Sequence, residues 1–403
     1  MKKMYLNYID SFKGLSKEIW FLALISLVNR AGTMVIPFLS LYLTKELNFS
    51  ESDAGSILVF FGIGSLFGSF LGGKLVDKVG FYKIMIFSLF VTGFGFIGLQ
   101  YVSSFWGLCF AILGIMTIAD MFRPAIFVSL KAYSKPENQT RSLALIRLAI
   151  NLGMGIGPTL AGWIIVTKGY NILFWIDGIT CIIAIVIFYM LVKEQKRPVA
   201  ENSEEVTIVD KNAAYKDKSY WIFIAICFFM GMAFFQLIIT MPIYQNDQFG
   251  LTEFDTGLIM FINVAIIVIF EMPFINYLEQ RNISATKLII YGSILFGLSF
   301  YVLLYNVWVG MLIVSIVIIT LGEMIGFPYT NAYAINRAKD GNEGSYMALY
   351  AMAFSLAHIF SSKTGLEIVA NFGHQVNWFV TGTFGVIGAI LAIWLHKRTQ
   401  KGL

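Results

Sequence analysis

The chain is 403 residues long, 58% hydrophobic and only 13% charged, with a formal net charge of +5. Soluble globular domains carry about 25% charged residues, so this composition excludes a water-soluble fold, and a mean hydropathy of +0.74 implies a chain dissolved in a bilayer. The excess of basic groups fits attraction to anionic lipid headgroups, and no nucleic-acid partner is expected.

A helix crosses a hydrocarbon core in about 20 residues. Apolar stretches predict spans at 19–44, 53–75, 83–102, 105–130, 142–166 and 172–192, and six more at 219–244, 254–278, 286–305, 308–334, 345–370 and 376–396. The first follows a polar segment and is too long for a cleaved signal sequence, so it is expected to stay as span one. Residues 193–218 turn abruptly polar, with Lys193, Glu194, Lys196, Arg197, Glu201, Glu204 and Glu205, the composition of a solvated linker. The expected architecture is an all-α membrane protein of 12 transmembrane helices in two pseudo-symmetric six-helix bundles: an N-terminal bundle over 1–192, a cytoplasmic linker over 193–218 and a C-terminal bundle over 219–403.

Of the 29 Lys and Arg residues, Arg30, Arg123, Arg147 and Lys363 fall within spans and Lys45 and Lys168 in loops on one face; all the rest fall on the other. Basic loops favour the cytoplasm, so both termini are expected there, in a multi-pass cell (inner) membrane protein. Cys109, Cys181 and Cys227 lie in separate spans, which gives no disulfide or metal pattern.

The halves repeat. Ser50, Glu51, Asp53 and Gly55 return as Thr252, Glu253, Asp255 and Gly257, an offset of 202 that also carries Asp77 onto Glu279; one further residue carries Asp120 and Met121 onto Glu323 and Met324, and Ser142 onto Ser345. A repeat this long in so apolar a chain suggests two similar bundles around a substrate path.

After span two comes Gly73, Lys74, Leu75, Val76, Asp77, Lys78, Val79, Gly80, Phe81, Tyr82, Lys83. Glycines permit a tight turn, and Asp77 near a helix end or a basic partner makes a breakable latch. The segment resembles the signature loop between the second and third helices of the major facilitator superfamily, which implies a conformational latch of Gly73, Asp77, Lys78, Gly80 and Lys83. The corresponding segment from Asn276 to Asn282 keeps an acid, Glu279, without the glycines. In span five, Gly153, Gly155, Gly157, Pro158 and Gly162 combine small residues for close helix packing with a proline that removes a donor. Their spacing is similar to the antiporter motif of that superfamily's drug:proton antiporter branch, although Ala161 and Ala144 stand where glycines are usual. The branch's arginine early in span four is absent, Phe110 occupying its place before Gly114, so coupling must rest on other charges.

Charged groups at mid-membrane cost about 2.5–3.5 kcal/mol on insertion scales and are functional candidates by default. Glu323 is the leading proton carrier, on one face of span ten with Thr320, Phe327 and Asn331, with Thr320 or Asn331 as hydrogen-bond partner; the alternative is a permanently paired structural carboxylate. Asp120 has Arg123 one turn away and reads as an ion pair or a second coupling acid. Glu271, before Met272 and Pro273, is a proton site or a cytoplasmic gate, and His358 a relay or a packed histidine. Arg30 shares a polar stripe with Ser26, Thr33 and Pro37 and either binds a substrate anion or positions Asp120 or Glu323. Lys363 and Glu367 are spaced as a helical pair. Arg30, Thr33, Phe38, Tyr42, Arg123, Phe234, Gln236, Tyr244 and Asn331 are the candidates for the substrate cavity, since aromatic walls suit bulky organic ligands.

The resemblance implies alternating access, with export of small organic molecules or drugs by proton antiport. Proton-coupled uptake of peptides or similar solutes is the alternative: Asn151, Leu152, Gly153 and Glu323 are similar to proton-dependent oligopeptide transporters, but the two glutamates expected before Arg30 are missing. A non-transporting sensor on the same scaffold is a third reading. His358, His374 and His396 are dispersed, so no catalytic constellation is expected, nor any metal or cofactor beyond protons as the coupling ion. A monomer is expected.

Overall fold

The computed structural model describes residues 14–134, 139–195, 213–281, 283–305, 308–337 and 343–400. The helices are α1 (Lys17–Ala31), α2 (Val35–Leu41, continued by a π-helical turn Tyr42–Glu46), α3 (Glu51–Val79), α4 (Phe81–Leu99), α5 (Phe105–Ala119), α6 (Phe122–Tyr133), α7 (Gln139–Lys168), α8 (Asn171–Leu191), α9 (Ala213–Lys216), α10 (Lys218–Ile239), α11 (Met241–Phe249), α12 (Glu253–Gln280), α13 (Ala285–Val302), α14 (Gly310–Arg337) and α15 (Glu343–Gln400). Eleven runs among the described residues are long and apolar enough to cross a membrane; the last, Leu349–Gln400, has 52 residues, more than twice what a hydrocarbon core needs. It turns at Gly373, where φ is +81°, a value that favours glycine, and so supplies two spans.

Spans one, four and seven, each predicted as a single stretch, are interrupted. Span one breaks between Ala31 and Val35, span four at Asp120 and Met121, and span seven at Thr240, just before Pro242. A second correction concerns the segment from Gly73: it is helical through Val79, and Gly80 alone, at φ +95°, makes the turn into α4. The linker residues 196–212 lie outside the described ones.

The described residues group into two compact units, one within Met1–Pro37, Ile63–Glu201 and Glu253–Phe261, the other within Phe38–Gly62, Asn202–Thr252 and Ile262–Leu403. In the first, α1 packs on α7 and α8, and α4 on α5, α6 and α8, around buried Ile19, Leu22, Met85, Ala125, Ala184 and Phe188. In the second, α10 and α13 pack on α15, and α13 on α14, around Phe223, Phe296, Phe300 and Trp378. Large apolar side chains such as Phe67, Phe94, Trp163, Ile269 and Ile390 are exposed, as a hydrocarbon solvent allows.

Candidate functional site

In the first unit, Asp177 explains how span one can break. It is buried on α8, and its two oxygens accept from the backbone N–H of Met34 at 2.8 Å and of Val35 at 3.1 Å. These donors open α2, where the helix has not yet supplied acceptors of its own. Thr33 turns its hydroxyl back to the Asn29 carbonyl at 2.9 Å. Arg30 sits in the last turn of α1, half-buried. At the interruption of span four, Asp120 caps α5 and Arg123 lies in the first turn of α6. The predicted pair forms loosely, Arg123 Nη2 lying 3.8 Å from Asp120 Oδ1.

The antiporter-like residues lie on α7, which runs unbroken through Pro158. A methyl group on Gly153 would stand 2.6 Å from Arg30 Cβ and 2.8 Å from Ala31 N, and one on Gly157 2.9 Å from Ala31 O. These glycines therefore bring α7 against the turn of α1 that carries Arg30. Further along α7, Thr159 Oγ1 lies 3.0 Å from the Gly257 carbonyl, and Gly162 abuts the backbone of Glu253. Of the signature segment, Lys78 and Lys83 are exposed and Gly73 has no packing neighbour among the described residues; the Asp77 side chain lies outside the described ones.

In the second unit, Glu323 is buried on α14. Its partner is Asn263 of α12, whose amide donates to Glu323 Oε1 at 3.0 Å and to Thr320 Oγ1 at 2.8 Å. Neither expected partner serves: the Thr320 hydroxyl donates to the Ile316 carbonyl at 2.6 Å, and Asn331, two turns further on, is exposed. Glu271 is half-buried and close enough to act electrostatically on Glu323. His358 lies between the rings of Phe61 and Phe235, both at 4.6 Å, its Nδ1 without a hydrogen-bond partner among the described residues.

Four cavity candidates are enclosed by packing. Phe38 and Tyr42 are buried. Tyr244 is wedged among Phe249, His374 and Trp378. Gln236 donates to Ser361 Oγ at 2.8 Å and accepts from Thr240 at 2.6 Å, tying α10 to α15. Phe234 meets Phe327 edge-on at 5.1 Å and keeps partial exposure.

Elsewhere in this unit, Lys363 pairs with Glu367 at 2.7 Å as its spacing predicts, and also reaches Ser52 Oγ at 3.1 Å and Ser56 Oγ at 2.8 Å. Asp247 joins Lys45 at 2.8 Å to His374 at 3.4 Å. The His374 hydrogen bond and, against the effect of partial burial, the Lys45 contact hold the Asp247 carboxyl below its ordinary range.

Sequence reasoning overlooked Asp177 and Asn263. Asp177 carried a signal, being the lone acid in an apolar span; Asn263 carries no charge and gave none.

Apolar helices interrupted at depth, with charged side chains at the interruptions, define a multi-pass membrane transporter. A family model of the Major Facilitator Superfamily matches residues 19–362 and 272–402, and the chain belongs to that superfamily. It is 18% identical to the "Na(+), Li(+), K(+)/H(+) antiporter" of Planococcus maritimus over 93% of this chain and 94% of that protein. It is 22% identical to "Multidrug resistance protein 2" of Bacillus subtilis (strain 168), over 91% and 92% respectively. A solved POT family transporter in complex with 5-aminolevulinic acid matches with a TM-score of 0.80 at 18% identity, covering 96% of this chain and 97% of that one. The chain thus has the all-α, 12-span, two-bundle fold of the superfamily and is a transporter rather than an enzyme. A small-molecule substrate and the bilayer are its partners.

Proposed function

We propose that this protein is a proton-coupled secondary active transporter that exports small organic molecules by antiport through alternating access. The observation that carries the reading is Glu323, a buried carboxylate in a membrane helix with a neutral amide, Asn263, as its hydrogen-bond partner. A carboxylate paired with a cation stays charged; one held by an amide takes up and releases a proton without breaking an ion pair. The glycines of α7 and the names of the antiporter and multidrug relatives support export. On this reading the molecule works as a monomer in the cell membrane, with both termini and the linker cytoplasmic, bundles over 1–192 and 219–403, and a latch at Asp77.

The test uses purified protein in liposomes with a trapped pH dye and candidate substrates added outside. Lumenal alkalinisation driven by a compound supports antiport; acidification replaces it with coupled uptake. No proton movement with any compound that binds would overturn proton coupling.

A further inference from the structure

Three charged side chains stand at the two interruptions of the first unit: Arg30 in the last turn of α1, Asp120 at the end of α5 and Arg123 at the start of α6. α1 packs on α6, and Arg30 lies within electrostatic reach of both Arg123 and Asp120. A guanidinium carries five N–H donors and no acceptor. Among the described residues no acceptor meets the Arg30 guanidinium, and Arg123 has only the loose 3.8 Å approach to Asp120.

The Arg123 side chain is 55% exposed although it lies deep in a membrane helix. Facing hydrocarbon there is costly, so such a group faces a water-filled path. Asp177, which could neutralise a second cation, is already committed to the N–H groups of Met34 and Val35. Two guanidinium groups against one carboxylate leave one positive charge over.

We propose that Arg30 and Arg123 form a binding site for an organic monoanion. A carboxylate or sulfonate takes the unused guanidinium donors, a match to the planar fork, while Asp120 holds the site to one net positive charge and so disfavours dianions. The site names the substrate class for the transport reading above and rests on it only for the statement that the bound anion is moved.

The test is binding to purified protein in detergent, without a gradient, of monocarboxylates from benzoate to decanoate, with benzamide and tetraphenylphosphonium as controls. The carboxylates are expected to bind and the controls not. Arg30→Gln and Arg123→Gln should each weaken binding about tenfold or more, as loss of a charged hydrogen bond implies. Asp120→Asn should tighten it several-fold, a gain that misfolding cannot mimic. The proposal is overturned if no carboxylate binds, if tetraphenylphosphonium binds in preference, if both Gln variants bind as the parent does, or if Asp120→Asn weakens binding. In liposomes the probe is benzenesulfonate, which carries no proton across lipid by itself. Detergent binding with no benzenesulfonate-driven proton movement keeps the site and removes proton coupling; proton movement driven by tetraphenylphosphonium and unaltered in Arg30→Gln keeps coupling and removes the site.

Discussion

Asn263 holds Glu323 from another helix, donating one amide hydrogen to it at 3.0 Å and the other to Thr320 at 2.8 Å. Glu323→Gln still presents a carbonyl oxygen to Asn263. Expression and folding should therefore survive, with stability changed by no more than about 1 kcal/mol, the net worth of a typical hydrogen bond. Proton exchange at the position disappears, so substrate-driven pH change in liposomes should fall to that of protein-free vesicles. Normal coupled flux in this variant would rule Glu323 out as the carrier.

Removing the partner has a different signature. Asn263→Leu strips Glu323 of its hydrogen bond in a buried setting and should destabilise the protein by about 1–3 kcal/mol, the penalty of an unsatisfied buried polar group. In the Glu323→Leu background the same change should cost much less, because no polar group is left unpaired. Thermal unfolding of the four proteins gives the coupling between the two sites; additive losses would mean that the contact contributes nothing.

The break in span one should depend on Asp177. Asp177→Leu leaves the Val35 N–H without its acceptor, while the Met34 N–H keeps the Gly32 carbonyl at 2.8 Å, so the change should cost about 1–3 kcal/mol, the desolvation penalty of one unsatisfied group. Asp177→Asn keeps one acceptor oxygen and should fall between that variant and the parent. Unfolding midpoints in detergent report the order, and a fully stable Asp177→Leu would show that α2 is capped by other means.

What could be read from the sequence divides along physical lines. The spans were legible because hydrocarbon thickness fixes their length and composition. Gly153 and Gly157 were legible because only small residues allow backbone contact, and they do meet Arg30 and Ala31. The interruption of span one was not: it carries no proline before Pro37, and its break depends on a carboxylate from α8, far away in sequence. The partner of Glu323 was misjudged for the same reason. Helical periodicity relates residues of one helix, such as Thr320 and Asn331, but says nothing of which polar group a neighbouring helix brings. Lys363 shows the limit in reverse, since its pairing with Glu367 follows from spacing while its reach to Ser52 and Ser56 does not.

Two glycines of α7 should differ in their tolerance of a methyl group. Replacing a helical glycine by alanine gains about 0.5–1 kcal/mol from backbone entropy, whereas overpacking costs about 1–3 kcal/mol. At Gly153 the added carbon meets three atoms of α1 between 2.6 and 2.9 Å, while at Gly157 the contacts are at 2.9, 3.1 and 3.4 Å. Gly153→Ala should therefore be the more destabilising of the two and weaken whatever Arg30 binds, and Gly157→Ala, with one backbone contact under 3.0 Å, destabilising by less. The reverse order in thermal unfolding would disprove the packing argument.

Asp247 gives a pH dependence whose sign can be worked out. Its carboxyl is held below its ordinary range by His374 and, despite partial burial, by Lys45. A carboxyl depressed in the folded state stabilises the fold above its unfolded pKa, about 3.9, and the stabilisation is lost as pH falls through the lower folded value. The parent should accordingly be more stable than Asp247→Asn at pH 5–7, and the difference should close below about pH 4. Because the group is partly exposed, salt should shrink the difference. Unfolding midpoints of both proteins across pH 2–7, at low and high ionic strength, measure it; a gap that does not shrink as pH falls below 4 would show that Asp247 acts through packing rather than charge.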